Sequence, residues 1–341
     1  MSVEKLPIAR AINLGIRDAM RADEKVMLMG EDVARLGGVF RVTQGLLDEF
    51  GALRVVDTPL GEAGIVGTAV GLAYRGYRPI CEIQFDGFVF PAYNQITTQL
   101  AKTHYRTEGR VRMPVVVRIP YGGGIGAVEH HSESPEALFA HTAGLRILTP
   151  SNANDAYWLT RQAIESDDPV IMFEPKRRYW VKGEVDTDNR PVLKHYEANA
   201  VREGADLTLV SWGPTVPVAL EAAQAAEEDG LSLEVIDLRS LNPIDFDCIQ
   251  GSVRKTGRLV IVHEAPVFGG LGGEIAARMT ERCFYSLEAP VMRVGGYHTR
   301  RTRRHAWSTP TSPTSSACST PLTVASITDS PSTDSPRTVP S

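Results

Sequence analysis

The stretch RVVDTPLGEAGIVGTAVGLAYRGYRPICEIQF, residues 54–85, decides the fold class. RVVDT (54–58) and RPICEIQF (78–85) carry the β-branched and apolar residues of strands, and EAGIVGTAVGLAYRG (62–76) between them spaces its apolar side chains as a helix does. The alternation continues outward. MPVVVRI (113–119), LRILTP (145–150) and PVIMFE (169–174) read as strands, whereas PAYNQITTQLAKTHYR (91–106) and NANDAYWLTRQAIES (152–166) read as helices. Such a pattern predicts an α/β fold, a mostly parallel sheet covered by helices on both faces.

From Gly183 to Gly204 the pattern lapses into a polar stretch containing Asp186, Asp188, Asn189 and Pro191, which suits a linker. It then restarts with strands at LTLVSWG (207–213), LSLEVIDLR (231–239) and RLVIVHEA (258–265). TVPVALEAAQAAEEDG (215–230) and IDFDCIQGSVRKTG (244–257) are the intervening helices. A domain over 1–182, a linker over 183–204 and a second, smaller α/β domain over 205–297 are therefore expected, and 341 residues suit two domains. Beyond Tyr297 the chain runs through HTRRTRRHAW into a tail dominated by Ser, Thr and Pro, 298–341, which lacks the apolar residues to bury a core.

With 43% hydrophobic and 23% charged residues the composition is that of a globular protein, and a net charge of −5 gives no electrostatic reason to expect nucleic acid or an anionic membrane. No apolar run is long enough for a membrane span and the N-terminus lacks the apolar core of a signal peptide, so a cytoplasmic location is expected. Cys81, Cys248, Cys283 and Cys318 show no metal or redox spacing.

Three segments could carry chemistry. In DTPLGEAGIVGTAVGLA (57–73), Glu62 stands where a strand has ended and a helix begins. A helix N-terminus favours an acid there for purely structural reasons, but strand ends of open α/β sheets are also where ligands bind. EIQFDGFVFPAYNQ (82–95) gathers four aromatics in an aromatic-poor chain, and Phe88 is the candidate to stack on a planar heterocycle, with a core role as the alternative. YGGGIGAVEHHSESPEALFAHTAG (121–144) is a glycine-rich loop leading to His130 and His131, either of which could move a proton near neutral pH. The loop lacks the Gly-Lys-Ser/Thr ending of a phosphate loop.

Together with GEDVARLGGVFRVTQGL (30–46), FEPKRRYW (173–180), EVIDLRSLNPID (234–245) and LEAPVMRVGGY (287–297), these segments make residues 3–297 resemble the beta subunits of the 2-oxo acid dehydrogenase complexes. The resemblance implies a transketolase-like pyrimidine-binding domain followed by a transketolase C-terminal domain, and an α₂β₂ heterotetramer in which thiamine diphosphate lies between an alpha and a beta subunit. Glu62 matches the glutamate that binds the aminopyrimidine at N1′. A carboxyl sharing a proton there promotes the tautomer whose 4′-nitrogen accepts the thiazolium C2 proton, and half-burial would raise the carboxyl pKa toward neutrality.

By the same resemblance Phe88 stacks on the pyrimidine and His131 serves acyl transfer to the lipoyl arm of the acyltransferase component, while His130 is structural. Val115, Ala163, Ile164, Ser166 and Asp168 fall where some relatives bind potassium, largely through backbone oxygens. No Gly-Asp-Gly occurs, and Gly30-Glu31-Asp32 does not substitute for it, so magnesium and the diphosphate are expected to be held by the alpha subunit and this chain to be inactive alone. The SPEALFAH and FEPKRRYW segments lean toward branched-chain 2-oxo acids, with pyruvate and acetoin open. A non-catalytic assembly subunit is the competing reading.

Relatives normally continue past Gly296-Tyr297 with an Asp-Thr-Pro-Tyr-Pro-Pro type segment and a final helix. The tail over 298–341 is instead expected to be either a flexible extension or the product of a shifted reading frame. Back-translation of HAWSTPTSPTSSACSTPLT in a neighbouring frame yields a family-like helix, which supports the second.

Overall fold

The structure, a computed structural model, describes residues 3–296; the Ser/Thr/Pro-rich tail and its frameshift reading lie outside the described residues. The first half of the chain forms β1 (Val3–Pro7), α1 (Ile8–Ala22), β2 (Val26–Gly30), α2 (Leu46–Phe50), β3 (Val55–Asp57), α3 (Glu62–Tyr74), β4 (Arg78–Glu82) and α4 (Ala101–Arg106). It continues with β5 (Val116–Tyr121), α5 (Glu136–Ala140), β6 (Arg146–Leu148), α6 (Ala153–Glu165), β7 (Val170–Pro175) and β8 (Lys182–Asp186). The second half forms β9 (Asn199–Arg202), β10 (Leu207–Ser211), α7 (Val216–Glu228), β11 (Leu233–Asp237), β12 (Ser240–Asn242), α8 (Phe246–Thr256), β13 (Leu259–Pro266), α9 (Leu271–Cys283) and β14 (Met292–Gly296).

The larger sheet has seven strands in the order β12-β6-β7-β5-β4-β2-β3, and all but β12 run parallel. Its central strands β5 and β7 are buried along their whole length, as expected when helices cover both faces. The second sheet, β14-β13-β10-β11-β9, is parallel except for β9 at one edge.

Local chemistry explains the helices that frame these sheets. On α1, Ile8, Ile12, Ile16 and Ala19 recur at helical spacing and are buried, and the helix packs on α6 so closely that a β-carbon at Gly15 would lie 2.9 Å from the Tyr157 carbonyl oxygen. Asn152 caps α6 by accepting from the Asp155 amide at 2.9 Å, and Asp245 caps α8 through the Cys248 amide at 3.0 Å. Gly257, left-handed at φ +71°, ends α8.

The polar stretch 183–204 is partly built into the sheets, because β8 pairs with β1 and β9 extends the second sheet. In addition β12, which follows the second domain's β11, crosses over to pair with β6 of the seven-stranded sheet. Arg239, just before β12, is buried; it donates to Asp155 of α6 at 2.9 Å and to the carbonyls of Lys194 and Glu197 at 3.1 and 2.8 Å. The two sheets are thus stitched by exchanged backbone as well as by packing. No helix among the described residues is long and apolar enough to cross a membrane.

Candidate functional site

All parallel strands of an open sheet end at the same edge, so the loops after β2, β3, β4, β5 and β7 gather there. Each delivers one part of the site. Glu31 follows β2, Glu62 follows β3, Phe85 to Phe88 follow β4, His130 and His131 follow β5, and Lys176 follows β7.

Glu62 is the first residue of α3, half-buried, with Ile65, Val66, Ala69 and Ala73 anchoring the helix beneath it. The Gly61 amide just before it donates to the carboxylate of Glu31 at 3.1 Å. Glu31 is 4% exposed, and burial holds its pKa up against that hydrogen bond, with further help from the Glu62 and Asp32 charges. Two carboxyls therefore stand together at the entrance to α3, one in each of two adjacent strand-end loops. The resemblance pointed to Glu62 and dismissed the Gly30-Glu31-Asp32 segment as a magnesium motif. The structure gives Glu31 a different place, as the acceptor that fixes the backbone on which Glu62 rides.

After β4 the chain tightens into a 3-10 turn, Asp86–Ala92, and α3 packs against it. Phe88 is half-buried on this turn and meets His131 edge-on at 5.1 Å between ring centroids. Phe85 stacks on the same histidine at 4.0 Å with the rings 28° apart. Sequence reasoning singled out Phe88 and missed Phe85; the clustering of aromatics in 85–93 was the signal, but which ring meets the histidine depends on how the loop from β5 folds back. His130 is exposed and lies 4.4 Å from His131, ring to ring. The Nδ1 atom of His131 is shielded and has no hydrogen-bond partner among the described residues, an unsatisfied polar group at the site.

The floor beneath these rings is ionic. Asp86 and Lys176, both fully buried, form an ion pair, and Asp86 also accepts from the Glu133 amide at 2.6 Å. Burial pushes Asp86 up and Lys176 down, each opposed by the partner's charge. Because Glu133 closes the histidine loop, this pair anchors that loop to the turn bearing Phe88. The fit is close: a β-carbon at Gly87 would collide with the carbonyl oxygen of His130.

Residues 4–181 match the family described as "Transketolase, pyrimidine binding domain", and 196–311 match "Transketolase, C-terminal domain". Over 87% of this chain and 88% of the relative, the sequence is 63% identical to the pyruvate dehydrogenase E1 component subunit beta of Leifsonia xyli subsp. xyli. The chain belongs to the E1 beta-subunit family of 2-oxo acid dehydrogenases.

Within that family it is also 54% identical to the 3-methyl-2-oxobutanoate dehydrogenase subunit beta of Mycobacterium tuberculosis, over 87% of this chain and 85% of the relative. Identity to the 2-oxoisovalerate dehydrogenase subunit beta of Bacillus subtilis is 45%, over 84% and 88%. Among solved structures, a split-gene transketolase described as an inactive beta4 tetramer superposes with a TM-score of 0.73 at 22% identity, covering 93% of this chain and 97% of that one, which supports the transketolase-like fold.

Family members are thiamine diphosphate dependent, and what this edge offers fits the aminopyrimidine end of that cofactor: a half-buried carboxyl, partly open aromatic rings and an unpartnered ring nitrogen. The five residues matched to a potassium site have hydrogen-bond or ion-pair partners of their own. Arg78 donates to the carbonyls of Ile164 at 3.1 Å and Ser166 at 2.9 Å, so a guanidinium stands beside them. The Val115 carbonyl accepts from the Val170 amide at 2.9 Å, that of Ala163 from the Ser166 amide at 3.3 Å, and the Asp168 carboxylate pairs with Arg146 at 2.8 Å. Among the described residues no group of three or more His, Cys, Asp or Glu could hold a metal ion.

Proposed function

We propose that this chain is the beta half of a thiamine-diphosphate-dependent 2-oxo acid dehydrogenase, active only when an alpha subunit in an α₂β₂ tetramer contributes magnesium and the diphosphate site. The observation that carries the reading is that Glu62, at the head of α3, and the aromatic–histidine cluster lie at one strand-end edge, where α3 packs against the turn bearing Phe88. When bound, thiamine diphosphate supplies the electron sink for losing carbon dioxide from a 2-oxo acid. Glu62 would hold the aminopyrimidine through its ring nitrogen and share a proton with it. Phe88 would flank the ring.

The overall conversion balances as one 2-oxo acid anion, one lipoyl disulfide and one proton giving carbon dioxide and an S-acyl dihydrolipoyl group. The disulfide breaks, one sulfur takes the acyl group and the other takes the proton. His131 would hold that proton: its Nδ1, shielded and without a hydrogen-bond partner among the described residues, supports this role, and the stacked Phe85 keeps the imidazole plane fixed.

Support for a second subunit comes from α3. Among the described residues nothing is found within 4 Å of a β-carbon built at Gly64 or Gly71, and Leu60, just before the helix, is 85% exposed and Tyr74 at its end 54% exposed, so α3 presents an open apolar face beside Glu62. The test is to purify the chain with and without its alpha partner and assay pyruvate against 3-methyl-2-oxobutanoate. Lipoyl-dependent turnover of at least one substrate is expected from the pair and none from the chain alone. A pair that assembles and turns over neither would refute the reading and favour an assembly role.

A further inference from the structure

The histidine loop, residues 122–133, is fastened to two different parts of the molecule. Its closing end is held by the first domain, where the Glu133 amide donates to Asp86 and the Glu133 carbonyl accepts from the Gly122 amide at 2.8 Å. Its opening end is held by the second domain. The Gly123 amide donates to the carboxylate of Glu264 on β13, a residue 141 positions away in sequence. Gly122, left-handed at φ +84°, brings the backbone so near that a β-carbon there would lie 3.0 Å from a Glu264 oxygen.

Arg177, in the turn after β7, completes the clamp. Its guanidinium pairs with Glu264 at 3.2 Å and donates to the Pro214 carbonyl at 3.0 Å, and its side chain lies against Gly124, where a β-carbon would come within 2.9 Å. One carboxylate thus bridges a loop amide and an arginine of the first domain from a strand of the second. The Glu264 side chain is 9% exposed, so both interactions are largely shielded from water.

We propose that Glu264 is a positioning residue for acyl transfer: by fixing the hinge of the 122–133 loop it keeps His131 over Phe85, so that the second domain controls delivery of the acyl group while decarboxylation at Glu62 proceeds without it. This rests on the role given to His131 above. Glu264 acts through its bonds to Gly123 and Arg177.

The experiment uses the assembled heterotetramer and measures two activities, decarboxylation with an artificial electron acceptor and reductive acylation of an isolated lipoyl domain. Glu264→Ala is expected to lower lipoyl acylation about 10- to 100-fold, the scale on which misplacing a reacting group is felt, while acceptor-linked decarboxylation stays near wild type. Glu264→Gln, which keeps an acceptor for the Gly123 amide, should recover part of the loss. Arg177→Met serves as a second variant with the same expected split. Hydrogen exchange read by mass spectrometry should show faster exchange in peptides spanning 122–133 and unchanged exchange in α3.

His131→Ala is run beside them. If it retains lipoyl acylation, the assigned role of His131 fails. If it loses acylation while both Glu264 variants keep it, or if the Glu264 variants lose both activities equally, the positioning proposal fails and the His131 assignment stands.

Discussion

Glu136 shows how much a single buried carboxyl can say. It lies at the start of α5, directly beyond the histidine loop, and accepts from the Trp212 indole at 3.2 Å while its other oxygen has no hydrogen-bond partner among the described residues. Burial pushes its pKa up to about 8, with the nearby Glu264 charge adding to the rise. A carboxyl whose folded pKa lies above the ordinary 4.5 binds its proton more tightly folded than unfolded, so its contribution to stability is full below about 4.5 and is lost as pH rises toward about 8. Asp237, raised to about 7, acts in the same sense.

His263 acts in the opposite sense. Buried against Trp212, ring on ring at 5.1 Å, it is pushed down to about 4 from 6.5, so stability is lost as pH falls through that interval. Glu136→Gln, which preserves an acceptor for Trp212, should flatten the alkaline side of the melting temperature against pH and leave the acid side unchanged. An unaltered alkaline slope would mean that Glu136 is ionised in the folded protein at neutral pH.

The residues themselves divide by how far their partners lie along the chain. Glu62, Phe88 and His131 could be proposed from sequence alone because each sits in a segment that matches the family. Glu31 and Glu264 could not, since their partners, Gly61 and Gly123, lie 30 and 141 residues away and only the folded sheets bring them together. At the five proposed potassium positions a distant partner was equally hidden: Arg78, from a different strand, donates to the carbonyls of Ile164 and Ser166.

At the level of elements, the parallel strands from β3 onward in the first domain were legible because continuous apolar runs separated by helical spacing have few other readings. The segment 91–106 was less so. It reads as one helix, yet the chain makes a 3-10 turn to Ala92, a π-helical stretch at Gln95–Leu100 and only then α4, because it must first wrap Phe85 and Phe88 against the histidine loop. Gly87 is the point of closest approach. Gly87→Ala should push the His130 backbone away, so lipoyl acylation should fall about 10-fold or more while the chain still assembles with its partner. Crystallographic or exchange data showing an undisturbed loop in that variant would rule out the contact as described.

On the scale of the whole molecule, the linker and β12 are what sequence patterning hides. A stretch rich in Asp, Asn and Pro marks a boundary, but it gives no sign that β8 will pair with β1 or that a three-residue strand beyond β11 will return to the first sheet. Those connections, with Arg239 buried among Asp155, Lys194 and Glu197, make the two domains one framework in which Glu264 can reach the histidine loop. In the function proposed above, this strand-end edge is one half of a site shared with an alpha subunit. Among the described residues it ends at the open face of α3, with Glu62 at the head of that helix.

The direct measurement is therefore deuterium exchange at the thiazolium C2 of thiamine diphosphate in the alpha–beta heterotetramer, compared between wild type and Glu62→Gln, with assembly verified by size and mass. The variant is expected to assemble normally and to exchange at least about 100-fold more slowly, the lower range for losing a positioned proton-transfer group. Exchange at the wild-type rate in an intact Glu62→Gln heterotetramer would contradict the role assigned to Glu62.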